Sequence, residues 1–118
     1  DNETILIIQI EHIEGVKNLD KLIAIDGVDA FIIGPYDLTS SIGHPGNWDH
    51  KLVKNALGSV EEVISMKIKP GGYHVVQSDH KKVNEIIDAG YNFIAYGSDI
   101  IFLSEKIESE GSFIKSFK

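Results

Sequence analysis

The 118-residue chain contains no cysteine. That excludes a disulfide framework, a thiolate metal site and a thiol nucleophile. Arginine is absent too, so all 11 basic residues are lysines. Without a guanidinium the chain has no bidentate clamp for a carboxylate. Eighteen acidic residues bring the formal net charge to -7. A nucleic-acid partner is therefore not expected, because phosphate backbones are gripped by clustered Lys and Arg. No apolar run approaches the ~18 residues of a membrane span, so no membrane partner is expected. No basic segment leads into an apolar one as in a signal peptide, and the expected location is cytoplasmic. Nucleophile elbow, P-loop and dinucleotide fingerprint are all missing.

What is present suits one soluble domain. Apolar residues make up 42% and charged residues 25%, enough for a core of ordinary size. Asp1-Asn2-Glu3-Thr4 runs straight into an apolar strand with no initiator Met. The chain reads as if it begins within something longer.

Two nearly all-apolar runs organise the rest. Ile5-Leu6-Ile7-Ile8 leads into Gln9-Ile10-Glu11, and Ala30-Phe31-Ile32-Ile33 leads into Gly34-Pro35-Tyr36-Asp37-Leu38-Thr39. Such runs read as strands buried on both faces, the mark of a parallel sheet. The expected strands are 4–11, 29–33, 71–76 and 92–96. A helix is expected over 19–25, capped by Asn18 and stopped by Gly27. Residues 34–49 read as one long loop, of the kind that carries function. A helix over 50–67, capped by Asp49, follows from apolar residues at Leu52, Val53, Ala56, Leu57, Val60, Val63 and Ile64. Further helices are expected over 79–89 and from Ser98 or Asp99 to about Lys106. The tail at 108–118 reads as a short docking helix or a frayed end.

Strict alternation of strand and helix gives an α/β chain with a parallel sheet. A full (β/α)₈ TIM-type barrel needs roughly 250 residues. The chain is thus either a small open sheet or a half-barrel of about four β/α units. A half-barrel exposes two parallel edges, which favours self-association.

In parallel sheets function sits at the carboxyl ends of the strands. Glu11 and Asp37 fall there, on strands expected to be neighbours about 5 Å apart. They read either as a pair sharing a hard cation such as Mg²⁺ or Mn²⁺, or as two solvated strand-end acids. Gly34-Pro35 with the amides of Tyr36 and Asp37 reads either as an anion-binding turn or as an ordinary one. His12 and His74 are candidate bases near strand ends. Gly71-Gly72 either lines a pocket floor or relieves crowding.

Several stretches together resemble a known family. They are Gln9-Ile10-Glu11, Gly15-Val16-Lys17-Asn18-Leu19-Asp20, Gly27-Val28-Asp29-Ala30, Gly34-Pro35-Tyr36-Asp37-Leu38-Thr39, Gly43-His44-Pro45-Gly46, Gly90-Tyr91-Asn92-Phe93-Ile94-Ala95 and Gly97-Ser98-Asp99. Over about residues 5–103 the chain resembles the HpcH/HpaI aldolases, the metal-dependent class II pyruvate aldolases. These cleave 4-hydroxy-2-oxoacids and 2-dehydro-3-deoxy sugar acids.

The resemblance implies a (β/α)₈ TIM barrel of which this single domain, 1–118, is the C-terminal half, strands five to eight. It implies a divalent metal, Mg²⁺ or Mn²⁺ with Co²⁺ as a further option, held by Glu11 and Asp37. Gln9 would line the substrate site. The amides after Gly34-Pro35, those of Tyr36 and Asp37, would bind a pyruvate carboxylate. The implied partners are a small 2-oxoacid and further copies of the chain, since the family commonly forms hexamers with helix exchange. The implied reaction breaks a C3–C4 bond and yields pyruvate and an aldehyde.

Two departures stand out. Tyr36 occupies a position where the family usually has Ala or Ser. The family's substrate-contacting arginine and proton-transferring histidine belong to strands this chain lacks, so no catalytic residue is assigned within it. Two alternatives accompany this reading. One is a relative of the citryl- or malyl-thioester lyases. The other is a truncated, non-catalytic half-barrel that binds metal and oxoacid, or only self-associates.

Overall fold

The structure is a computed structural model and describes residues 3–117. Four strands, β1 (Ile7–Ile10), β2 (Ala30–Ile33), β3 (Gly71–Val75) and β4 (Phe93–Tyr96), lie parallel in chain order. The connections hold α1 (Ile13–Lys17) and α2 (Leu19–Ile23), then α3 (Pro35–Ser41) and α4 (Lys51–Ser65), then α5 (His80–Asp88). Helix α6 (Asp99–Lys115) follows β4. The α/β class and parallel sheet expected from the sequence are both present.

Right-handed crossovers between strands added in one direction put every connecting helix on the same face. The core forms there. Ile10, Phe31, Ile33, Tyr73 and Val75 of the sheet pack against Leu19, Ile23, Leu38, Val60, Ile64 and Ile86 of the helix layer. Each such side chain contributes about 1.5–3 kcal/mol when fully buried. Among the described residues the other face carries no helix. Ile7 is 45% exposed, and every residue of β4 keeps partial exposure. The first apolar run is therefore left open on one face within this chain, whereas β2 is buried at Ala30, Phe31 and Ile33 and half-buried at Ile32.

The larger correction concerns residues 34–49, which do not form one loop. Pro35 opens α3 at its first position and Gly34 is the N-cap. Proline suits this place because its fixed φ is already helical and the missing N–H would have had no intrahelical partner. Helix α4 keeps its expected face, with Val53, Ala56, Val60 and Ile64 buried. Its N-cap is His50, whose Nδ1 accepts from the Leu52 amide, while Asp49 pairs with Lys54 at 2.8 Å. Asp79 caps α5 as expected, accepting from the Lys82 amide.

Helix α6 runs about nine residues beyond its expected end and absorbs most of the tail. None of its residues is buried, although Ile107 is 62% and Phe113 60% exposed. The uncovered helix and the bare sheet face explain the elongated molecule. Its radius of gyration is 17.0 Å, against about 13.5 Å for a compact domain of this length. Among the described residues no helix is long and apolar enough to cross a membrane.

Gly71 and Gly72 relieve crowding. A Cβ on Gly71 would lie 2.8 Å from both Ile64 and Phe31, and one on Gly72 would run into the Phe93 ring.

Candidate functional site

The ladder between β1 and β2 ends with Ile10 opposite Ile33. The Gly34 amide then donates to the Ile10 carbonyl at 3.0 Å. This places Glu11 and Gly34 side by side at the carboxyl end of the sheet. Gln9 and Glu11 share strand parity and lean over Gly34 together. A Cβ on Gly34 would sit 2.8 Å from Gln9 Nε2, 3.2 Å from Glu11 Cβ and 3.3 Å from Glu11 Oε2. The glycine is thus required by close approach, since its φ of -93° is open to any residue. Three of the residues singled out in the sequence, Gln9, Glu11 and Gly34, meet here.

The other three follow at once. Pro35 is buried, and Tyr36 and Asp37 are exposed in the first turn of α3, where amides have no intrahelical acceptor. Asp37 lies three residues beyond Gly34. Among the described residues neither Glu11 nor Asp37 enters an ion pair.

This arrangement fits a hard divalent cation. Glu11 and Asp37 offer two carboxylates at this end of the sheet, and Gln9 presents Nε2 over Gly34 beside Glu11. No group of three or more acidic, His or Cys side chains joins them among the described residues. Glu11 and Asp37 would hold such a cation, which would supply Lewis-acid chemistry there.

The sequence reading missed the surroundings of α3. Its Thr39-Ser40-Ser41 run bonds backbone on three sides. Thr39, 1% exposed, donates to the Tyr36 carbonyl at 2.8 Å and accepts from the Gly46 amide at 2.9 Å. Ser40 also donates to the Tyr36 carbonyl, at 2.9 Å. Ser41 donates to the Leu38 carbonyl at 2.7 Å and accepts from the Ile13 amide at 2.9 Å. Trp48 packs edge-on against Tyr36, ring centroids 5.2 Å apart. Its loop is further fixed by the stacked rings of His44 and His50, 3.4 Å apart.

A cleft of about 550 Å³ opens beside this pair, lined in part by Pro35, Tyr36, Trp48, Tyr73, His74 and Gln77. Burial pushes the Tyr73 phenol well above its ordinary range, with Tyr36 and Glu61 adding to the effect. Tyr73 is therefore a neutral wall rather than a base. The Lys54 ammonium bonded to Asp49 holds that carboxyl below its usual range.

The candidate bases part company. His12 is the N-cap of α1, its Nδ1 accepting from the Glu14 amide at 3.2 Å. His74 Nε2 lies 3.5 Å from the Gly97 carbonyl. Ser98 and Asp99 open α6, with Asp99 Oδ1 accepting from the Ile100 amide at 2.7 Å.

The sequence model of the HpcH/HpaI aldolase/citrate lyase family matches residues 1–105. The chain belongs to that family. Relatives within reach of it include a hydroxypyruvate/pyruvate aldolase of Pseudomonas aeruginosa, 33% identical over 91% of this chain and 39% of its own. A 5-keto-4-deoxy-D-glucarate aldolase of an Enterobacter species is 38% identical over 97% of this chain and 44% of its own. Among solved structures, an HpcH/HpaI aldolase from Desulfitobacterium hafniense superposes with a TM-score of 0.85 at 26% identity. It covers 97% of this chain and 44% of that one. This HpcH/HpaI chain thus spans about two-fifths of the length of the relatives it matches. Its four β/α units are part of the TIM-barrel-type fold of those neighbours.

Proposed function

We propose that this chain is the metal- and oxoacid-binding half of a carbon–carbon lyase that cleaves a 4-hydroxy-2-oxoacid into pyruvate and an aldehyde. The observation that carries the reading is the convergence of Gln9 and Glu11 over Gly34 at the strand ends, one turn from Asp37. The aldolase activities of the similar proteins support the same reaction class.

In this reading Glu11 and Asp37 hold Mg²⁺, Mn²⁺ or Co²⁺. The bound cation supplies Lewis-acid polarisation of the oxoacid's keto group. The chain's own residues orient the substrate. The amides of Tyr36 and Asp37 bind the carboxylate at the positive end of α3. Gly34 leaves room for Gln9 and Glu11 to close over the strand end. Gln9 lines the pocket beside Glu11. Tyr36 and Trp48 flank the neighbouring cleft.

The chain as a single unit, 1–118, is read as strands five to eight of the barrel. Its bare sheet face and uncovered α6 support a homo-oligomer, or union with further β/α units, in a cytoplasmic enzyme. The same two features favour the second reading for the isolated chain, a half-barrel that binds without turnover.

A calorimetric titration with Mn²⁺, with and without oxalate as a mimic of the pyruvate enolate, tests the site. Tight binding that depends on oxalate is the expected result. A folded chain that binds neither overturns the assignment.

A further inference from the structure

The sheet ladder cannot by itself fix Glu11 relative to Asp37. Its last cross-strand bond is Gly34 amide to Ile10 carbonyl. Beyond it the two segments part, one turning into α1 and the other into α3. Among the described residues the next hydrogen-bonded link between them is a single hydroxyl. The Ile13 amide, two residues after Glu11, donates to Ser41 Oγ at 2.9 Å. Ser41 Oγ donates in turn to the carbonyl of Leu38, the residue after Asp37, at 2.7 Å.

We propose that Ser41 is a positioning residue for the metal-ligating pair, clamping the segment that leaves Glu11 onto the helix that carries Asp37. This rests on the reading of Glu11 and Asp37 as the ligands. The hydroxyl is suited to the task because it uses its donor and an acceptor site at once. Ile13 is the first residue of α1, and its amide has no acceptor within that helix. The cap supplied by His12 goes to Glu14 instead. Ser41 is therefore the partner that satisfies the Ile13 amide. Leu38 is fully buried, which anchors the other end of the clamp. Thr39 makes a parallel link on the same helix, but toward Gly46 and the Trp48 loop. It provides an internal control, since it does not touch the Glu11 segment.

The test measures Mn²⁺ affinity by calorimetry and Ile13 amide exchange by NMR, both on the 118-residue chain. Ser41→Ala is expected to weaken Mn²⁺ binding several-fold, because the hydroxyl holds the backbone beside each ligand rather than a ligand itself, and to speed exchange at Ile13. Ser41→Thr should restore both. Ile13→Pro removes the donor from the opposite side without opposing α1, because proline is favoured at a first helical position, and should lower affinity as Ser41→Ala does. Thr39→Val should leave Mn²⁺ affinity within about twofold. If Ser41→Ala and Ile13→Pro both bind like wild type, or if Thr39→Val loses as much as they do, the proposal falls. A wild-type chain with no Mn²⁺ affinity overturns the metal reading and this inference with it. Normal wild-type binding with an unaffected Ser41→Ala overturns this inference alone.

Discussion

Gln9 and Gly34 share one space: the Gln9 side-chain amide lies 2.8 Å from where a Cβ on residue 34 would stand. Gly34→Ala should therefore push Gln9 and Glu11 off their positions while leaving the fold intact. The backbone there accepts alanine, although alanine is a poorer N-cap than glycine. The expected outcome is a stability change below about 1 kcal/mol by urea denaturation, with metal affinity reduced about tenfold. Equal affinity in the two proteins would show that Gln9 and Glu11 work from elsewhere.

Glu11→Ala and Asp37→Ala should each abolish measurable Mn²⁺ binding. Both side chains are exposed, so neither change should alter the unfolding transition by more than about 0.5 kcal/mol. Calorimetry and a denaturation curve on the same samples separate loss of ligand from loss of fold.

Tyr73 and Tyr91 predict an alkaline limit to stability. Burial raises both phenols well above their ordinary value. The unfolded chain loses these protons from about pH 10 upward, while the folded chain keeps them. Their contribution is complete below that pH and is lost as pH rises, by about 1.4 kcal/mol per unit for each tyrosine. The Tyr91 hydroxyl is also buried without a hydrogen-bond partner. Tyr91→Phe should be neutral or stabilising at pH 7 and should flatten the fall between pH 10 and 12. Thermal unfolding across that range is the measurement.

Helix α6 predicts self-association. Ile107 and Phe113 are exposed and contribute nothing to the core of the single chain. Replacing both with lysine should lower the sedimentation coefficient of any oligomer without shifting the monomer's helical signal. An unchanged assembly would mean that α6 is not part of the contact.

The strands were legible because a doubly wound or barrel strand concentrates its apolar residues, as Ala30 to Ile33 do. Helix α4 was legible from its periodicity. Helix α3 was not, because Gly34-Pro35 reads as a turn and the following Thr-Ser-Ser carries no apolar stripe. Its stability comes instead from a proline start, buried Leu38 and hydroxyls bonded to carbonyls one turn back. Asp49 looked the better cap than His50, but an acid with a lysine five residues on had another use. The length of α6 was hidden by the polar residues after Lys106, through which the helix continues.

The approach of Gln9 and Glu11 to Gly34 was readable because strand ends in a parallel sheet fall at one edge. The contacts of Ser41 and Thr39 were not readable. They join residues 28 and seven positions apart, and no local pattern announces such a link.

Trp48 is the chain's sole tryptophan, and its ring edge rests on Tyr36, the residue whose amide is assigned to the substrate carboxylate. The molecule therefore carries an optical reporter at the rim of its own pocket. Indole emission of the unlabelled protein arises from one place only. Any ligand that displaces or dries that ring can be followed by light alone, in real time, with tyrosine as the only other protein emitter.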